Sequence, residues 1–133
     1  MPTLEAGSRP GMAEDFVDRL GVYGRTADDG TATLELDVTE EHLNAAGTLH
    51  GGVLATLVDT AMGQAVRSST GEHDVPATSQ LTVTYLRPGK PGHLRATGRV
   101  STQGEHLTVC EADVEQDGRT LVHAVATFAV LHH

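Results

Sequence analysis

The chain has 133 residues, enough for one domain with its own hydrophobic core. Hydrophobic residues make up 38% and charged residues 20%, a soluble balance, and no apolar run approaches the roughly 20 residues of a membrane span. The net charge of −9 argues against wholesale nucleic-acid binding, which needs a basic face, although a small anionic ligand can still dock on a local basic patch.

In chain order, residues 1–11 contain two prolines and two glycines and are expected to be a loose arm on a single domain spanning 1–133. They show no basic start followed by an apolar block, so no secretory signal is expected. Residues 12–20 are expected to form a short helix with Phe16, Val17 and Leu20 on one side, stopped by Gly21. Residues 22–28 read as a strand, Asp28-Asp29-Gly30 as a hairpin turn, and residues 31–38 as a second strand. In that strand Ala32, Leu34, Leu36 and Val38 alternate with Thr33, Glu35 and Asp37.

The only long helical signal covers residues 52–69. Val53, Leu54, Leu57, Val58, Ala61 and Met62 open a broad apolar stripe on a helix of ~27 Å, with Gly71 as its expected C-terminal cap. Strand signals follow at 77–86, 93–103 and 106–116, punctuated by the turn Arg87–Gly92 and by Gln103-Gly104-Glu105. Gln116-Asp117-Gly118 is a second hairpin turn. The last run, Leu121 to Leu131, is apolar on nearly both faces and reads as a strand covered on both sides. One helix with so wide a stripe needs a sheet to wrap it, which makes the fold class α+β. Cys110, the single cysteine, reads as a core residue rather than a nucleophile. With no internal disulfide possible, a reducing cytoplasm is the expected setting.

Within this frame the stretch Asn44–Asp59, NAAGTLHGGVLATLVD, stands out because it carries one carboxylate along an apolar helix. An unpaired buried carboxylate costs several kcal/mol, so Asp59 either faces water or serves a reaction. On a helical wheel it falls at the margin of the stripe, beside Ala55, Met62, Gly63 and Val66. The small residues one turn away leave room for an approaching group. Gly51 and Gly52 stand at the helix N-terminus, whose free N–H groups and positive dipole end suit a carbonyl oxygen that becomes negative during a reaction. Asn44, seven residues earlier, is a candidate second donor. Taken singly, a glycine pair is often a loop ending and a lone acid often a solvated one. Their combination favours a site.

The pattern Asn-x5-His-Gly-Gly-x6-Asp, followed by TSQLTVTYLRP, resembles the acyl-CoA thioesterases of the hotdog fold, in the branch of the phenylacetate-pathway thioesterases and thioesterase superfamily member 2. The resemblance covers residues 35–131. It implies an antiparallel sheet wrapped around the long helix, homodimers with active sites at their interface, and homotetramers built from them. It implies hydrolysis of an acyl- or aryl-CoA thioester to the free acid and CoA, with no cofactor and no metal. The Gly51 N–H would donate to the thioester oxygen, with Asn44 nearby. Asp59 of the other subunit would act as general base or nucleophile. His50 belongs to the motif without a fixed role. Thr78 stands where some relatives place a water-orienting serine, and Ser79 is its neighbouring alternative. Gly52 and Met62 are expected beside the substrate, and Arg87 and Lys90, flanking a Pro-Gly turn, near the CoA phosphates. Two other functions fit the same motif: an enoyl or hydroxyacyl thioester hydratase-dehydratase, which wants a closely paired His and acid, and a non-catalytic acyl-CoA-binding domain.

Overall fold

The structure, a computed structural model, describes residues 3–4, 15–71 and 73–131. Most of the arm expected at 1–11, and the start of the helix expected from residue 12, lie outside the described residues. A two-residue strand β1 (Thr3–Leu4) is followed by a five-residue helix α1 (Phe16–Leu20). Asp15 caps α1 in a reciprocal capping box with Asp18, and Gly21, at φ 102°, ends it in the left-handed region that suits glycine. Val17 and Leu20 pack on the core, but Phe16 is 59% exposed and does not share their side.

Strands β2 (Tyr23–Asp28) and β3 (Thr31–Val38) form the expected hairpin. Asp29 and Gly30 both take positive φ, 47° and 84°, in the two-residue turn whose twist matches the flanking strands. Leu34, Leu36 and Val38 face the core, as the alternation predicts. The long helix α2 runs Gly51–Ser68. Its cap is Ser69. Gly71 does not take positive φ, and its N–H instead meets the Asp74 carboxylate at 3.0 Å, so the turn after the helix is held by a side chain. Then come β4 (Val75–Tyr85), β5 (Gly92–Gln103), β6 (Leu107–Gln116) and β7 (Arg119–Leu131).

The seven strands form one antiparallel sheet in the order β1-β2-β3-β5-β6-β7-β4. The second hairpin, β6–β7, turns at Asp117 and Gly118, again both at positive φ. β4 does not pair with β5. It lies at the far edge against β7, so residues 86–91 carry the chain from that edge back to the centre of the sheet. α2 touches every strand from β2 to β7. It packs tightly on Gly98 of β5, where a Cβ would lie 2.5 Å from the Ala61 carbonyl carbon. A sheet curled round one buried helix is the hotdog fold, and the α+β expectation is met.

β7 is covered on one face only. Val122, Ala124, Ala126 and Phe128 are buried beneath α2, whereas Val125 on the opposite face is 40% exposed. One helix shields one side of a sheet, and the described residues provide no second layer. Cys110 is fully buried, and burial pushes its thiol up to about 11, as suits a packing residue. His42 is buried. Its Nδ1 accepts from the Thr39 N–H, so its other ring nitrogen donates to the Leu20 carbonyl and ties α1 to the chain before α2.

Candidate active site

The N-terminus of α2 is built by side chains around two glycines. His50 is the N-cap, an unusual residue there, and its Nδ1 accepts the Gly52 N–H at 2.8 Å. A Cβ on Gly52 would lie 2.9 Å from that nitrogen, so the second glycine makes room for the cap. A Cβ on Gly51 would meet the Tyr85 ring at 3.3 Å. The Tyr85 hydroxyl donates to the Gly51 carbonyl at 2.8 Å. The peptide between the glycines is therefore held at both ends, its oxygen by Tyr85 and its N–H by His50. The preceding N–H, that of Gly51, has no acceptor among the described residues and stands at the positive end of the helix. Of the two glycine donors expected from the sequence, only this one is open.

Asn44 organises the loop that delivers the chain to α2. Its Oδ1 accepts from the N–H groups of Ala46 and Thr48, and its Nδ2 donates to the Thr48 hydroxyl at 2.9 Å. One of its two amide hydrogens is thus committed inside the loop.

Asp59 lies eight residues along α2 from Gly51, ~12 Å at 1.5 Å per residue. It is half-buried, and its Oδ1 accepts from the Thr78 hydroxyl at 2.7 Å. Thr78, although exposed, faces α2 because it stands opposite Phe128 in the β4–β7 register, on the sheet face that packs on the helix. The bulge between Thr78 and Gln80 then sends Ser79 the other way, where its hydroxyl bonds to Thr127. Between the two candidates, Thr78 is the one at the carboxylate. Met62, expected beside the substrate, has no exposed surface, since it sits on the core side of α2 and not on the margin that carries Asp59.

An open cleft of about 330 Å³ lies at the mouth of α2, lined by Leu49, Gly51, Leu54, Tyr85, Leu86 and Arg87, among others. Arg87 and Pro88 also line a neighbouring groove of about 620 Å³ with Lys90, Gln116, Arg119 and Leu121. Arg87 donates to the Thr120 carbonyl at 2.8 Å, and Lys90 lies 3.6 Å from Asp117 with both side chains largely exposed. The loop thus puts Arg87 on the cleft that Gly51 also lines and Lys90 on the neighbouring groove. Sequence reading missed Tyr85, which looked like one more apolar member of an alternating strand. It also missed Arg119 and Gln116, which flank a hairpin turn and carry no motif.

The thioesterase superfamily profile matches residues 46–123, from the loop before α2 to β7. The chain belongs to the thioesterase superfamily. It is similar to human acyl-coenzyme A thioesterase 13, 38% identical over 91 residues that cover 67% of this chain and 64% of that protein. This thioesterase-superfamily chain is also similar to the Escherichia coli acyl-coenzyme A thioesterase PaaI, 34% identical over 71% of this chain and 66% of PaaI. The solved PaaI structure superposes with a TM-score of 0.79 at 30% identity, covering 86% of this chain and 83% of PaaI. A Streptococcus pneumoniae thioesterase solved with coenzyme A gives a TM-score of 0.74 at 31% identity, covering 80% of this chain and 85% of that one. The chain thus spans somewhat under two thirds of the length of the human relative that it matches. No helix among the described residues is long and apolar enough to cross a membrane.

Proposed function

We propose that this protein hydrolyses an acyl- or aryl-CoA thioester to the free acid and CoA, with Asp59 as the residue that activates water. The observation that carries the proposal is the Thr78–Asp59 hydrogen bond of 2.7 Å at the margin of α2. Because Thr78 spends its proton on Oδ1, its oxygen lone pairs and the second carboxylate oxygen remain to hold a water between them. In turnover that water attacks the thioester carbon as Asp59 takes its proton. The carbonyl oxygen becomes an oxyanion, which the Gly51 N–H and the dipole of α2 stabilise. The C–S bond then breaks, the proton held by Asp59 passes to the leaving thiolate, and the free acid, CoA and the Asp59 carboxylate result.

One chain cannot perform this alone. The ~12 Å between Asp59 and its own Gly51 amide exceeds the reach of a single scissile group. The working unit is therefore a homodimer, in which Asp59 of one protomer faces Gly51 of its mate. β4 supports this reading: it is an eleven-residue edge strand whose outer backbone groups lack a partner strand among the described residues, a ready surface for pairing with a second copy. The exposed outer face of β7 suits a further pairing of dimers into a homotetramer. The Streptococcus pneumoniae relative solved with coenzyme A supports CoA as the carrier, with Arg87 and Lys90 toward its phosphates. A single buried thiol fits a reducing cytoplasm. Neither alternative has a feature of its own: the motif histidine, His50, is bonded to a backbone N–H and not to an acid.

The test is thiol release from a panel of short, long and aromatic acyl-CoAs. Turnover of at least one, lost in Asp59→Asn while the assembly stays intact, is expected. Unchanged hydrolysis in that variant removes Asp59 from the chemistry, and tight CoA-ester binding without thiol release from any ester favours a binding domain.

A further inference from the structure

Three of the nine lysine and arginine residues, Arg87, Lys90 and Arg119, line one groove, although the chain as a whole carries a charge of −9. Three arginines elsewhere are paired with acids: Arg25 with Asp18, Arg95 with Glu35, and Arg99 with Glu111 and Asp113. In the groove the only acid is Asp117, 3.6 Å from Lys90 with both side chains 71% exposed, and Arg87 is held by a carbonyl rather than a carboxylate. The loop that carries Arg87 and Lys90 is held from three directions. The Leu121 carbonyl accepts from the N–H groups of Leu86 and Arg87, and the Gly89 carbonyl accepts from the Leu49 N–H at 3.1 Å. The third tie is a side chain. Gln116, 5% exposed at the end of β6, accepts the Lys90 N–H with its Oε1 at 3.1 Å and donates its Nε2 to the Lys90 carbonyl at 2.7 Å. This reciprocal pair fastens both polar groups of one residue, as a strand partner would.

We propose that Gln116 is a positioning residue which, by fixing the Arg87–Lys90 loop beside Arg119, makes this site select carriers that end in phosphate groups. The inference rests on the thioesterase reading and names the part of the substrate that the groove holds. Guanidinium forks match phosphate oxygens, and a preorganised loop avoids the ordering cost that a floppy one would bear on binding. The mouth at Gly51 takes the thioester end, and the cationic groove takes the far end.

Calorimetry with CoA, with pantetheine, which lacks the nucleotide phosphates, and with adenosine 3′,5′-bisphosphate alone tests this on the full chain. The wild-type protein is expected to prefer CoA over pantetheine by tenfold or more, about 1.4 kcal/mol, and to bind the bisphosphate. Gln116→Ala should weaken CoA and the bisphosphate several-fold and leave pantetheine unchanged. Arg119→Ala, at an exposed position that poses no folding risk, should act in the same direction. A merely structural Gln116 would weaken all three ligands together, and that result overturns the proposal. So does an unaltered CoA-to-pantetheine ratio in both variants. If the wild type discriminates between the carriers yet hydrolyses no thioester, the catalytic reading falls and the groove assignment stands.

Discussion

The Thr78 hydroxyl and the Asp59 carboxylate meet at 2.7 Å although nineteen residues separate them, and the bond joins the middle of α2 to the edge strand β4. In the proposed reaction a carboxylate so held presents one oxygen to the hydroxyl and the other to an incoming water. Asp59→Asn keeps the shape but removes the base, and is expected to lower kcat by about 10²–10⁴-fold. Thr78→Ala should cost about 3–10-fold, the equivalent of one ordinary hydrogen bond, while Thr78→Ser restores most of the rate. Equal rates for the Ala and Ser variants would show that the hydroxyl takes no part.

Tyr85 acts on the Gly51–Gly52 peptide from outside the chemistry. Tyr85→Phe keeps the ring that packs on Gly51 and removes the 2.8 Å bond to its carbonyl. A loss of about 3–10-fold in kcat is expected, with KM little changed, because in the proposed reaction the aim of the neighbouring Gly51 N–H matters most when charge develops. A rise in KM alone would instead make Tyr85 a contact for the carrier.

Gly98 sets how closely sheet and helix approach. An added methyl would come within 2.6 Å of three backbone atoms of Ala61 and Met62, which cannot swing aside as a side-chain end can. Gly98→Ala should therefore destabilise the fold by about 1–3 kcal/mol or more. Chemical denaturation reads this directly, and a change below 0.5 kcal/mol, the usual scale of a surface substitution, would contradict the contact.

On the outer face, Asp113 accepts from His123 at 2.7 Å and from Arg99 at 3.0 Å. Partial burial pushes its carboxyl up, but the hydrogen bonds from His123 and Arg99 outweigh this and hold it below the ordinary value of 3.8. A carboxyl depressed in the folded state contributes stability above about pH 3.8, which is lost as the pH falls through the lower folded value. Asp113 is half-buried while its partners Arg99 and His123 are partly exposed at the surface, so the contribution is about 0.2–1 kcal/mol after screening. Asp113→Asn should therefore lower the midpoint of urea unfolding at pH 7, and the gap to wild type should close as the pH drops below 3.8. A gap that stays constant down to the lowest pH would show that the effect is packing and not charge.

The sequence by itself determined most of the elements, because each of those is set by a local rule; β1, within the stretch expected to be a loose arm, was not among them. Alternation from Thr31 to Val38 and the Asp-Gly turns at 29–30 and 117–118 define hairpins without reference to distant residues. The apolar stripe of α2 demands a sheet around it. The His-Gly-Gly start was legible as a helix N-terminus with an acid two turns on, and this much of the candidate site was visible.

Only the tertiary structure decided which groups meet. That β4 crosses to the far edge beside β7, and that a bulge turns Thr78 in and Ser79 out, depends on strand order and register, which alternation leaves open. The same holds for Tyr85 over Gly51, for His50 taking the Gly52 N–H, and for Gln116 beneath Lys90. Met62 and Asp59 lie three residues apart on one helix, yet one is sealed in the core and the other stands at its margin. The wheel places both near the boundary of the stripe, and where that boundary falls is settled by the strands that pack against it. A site assembled from groups far apart in the chain is a property of how elements dock, and docking is governed by packing and hydrogen bonding that no local pattern encodes.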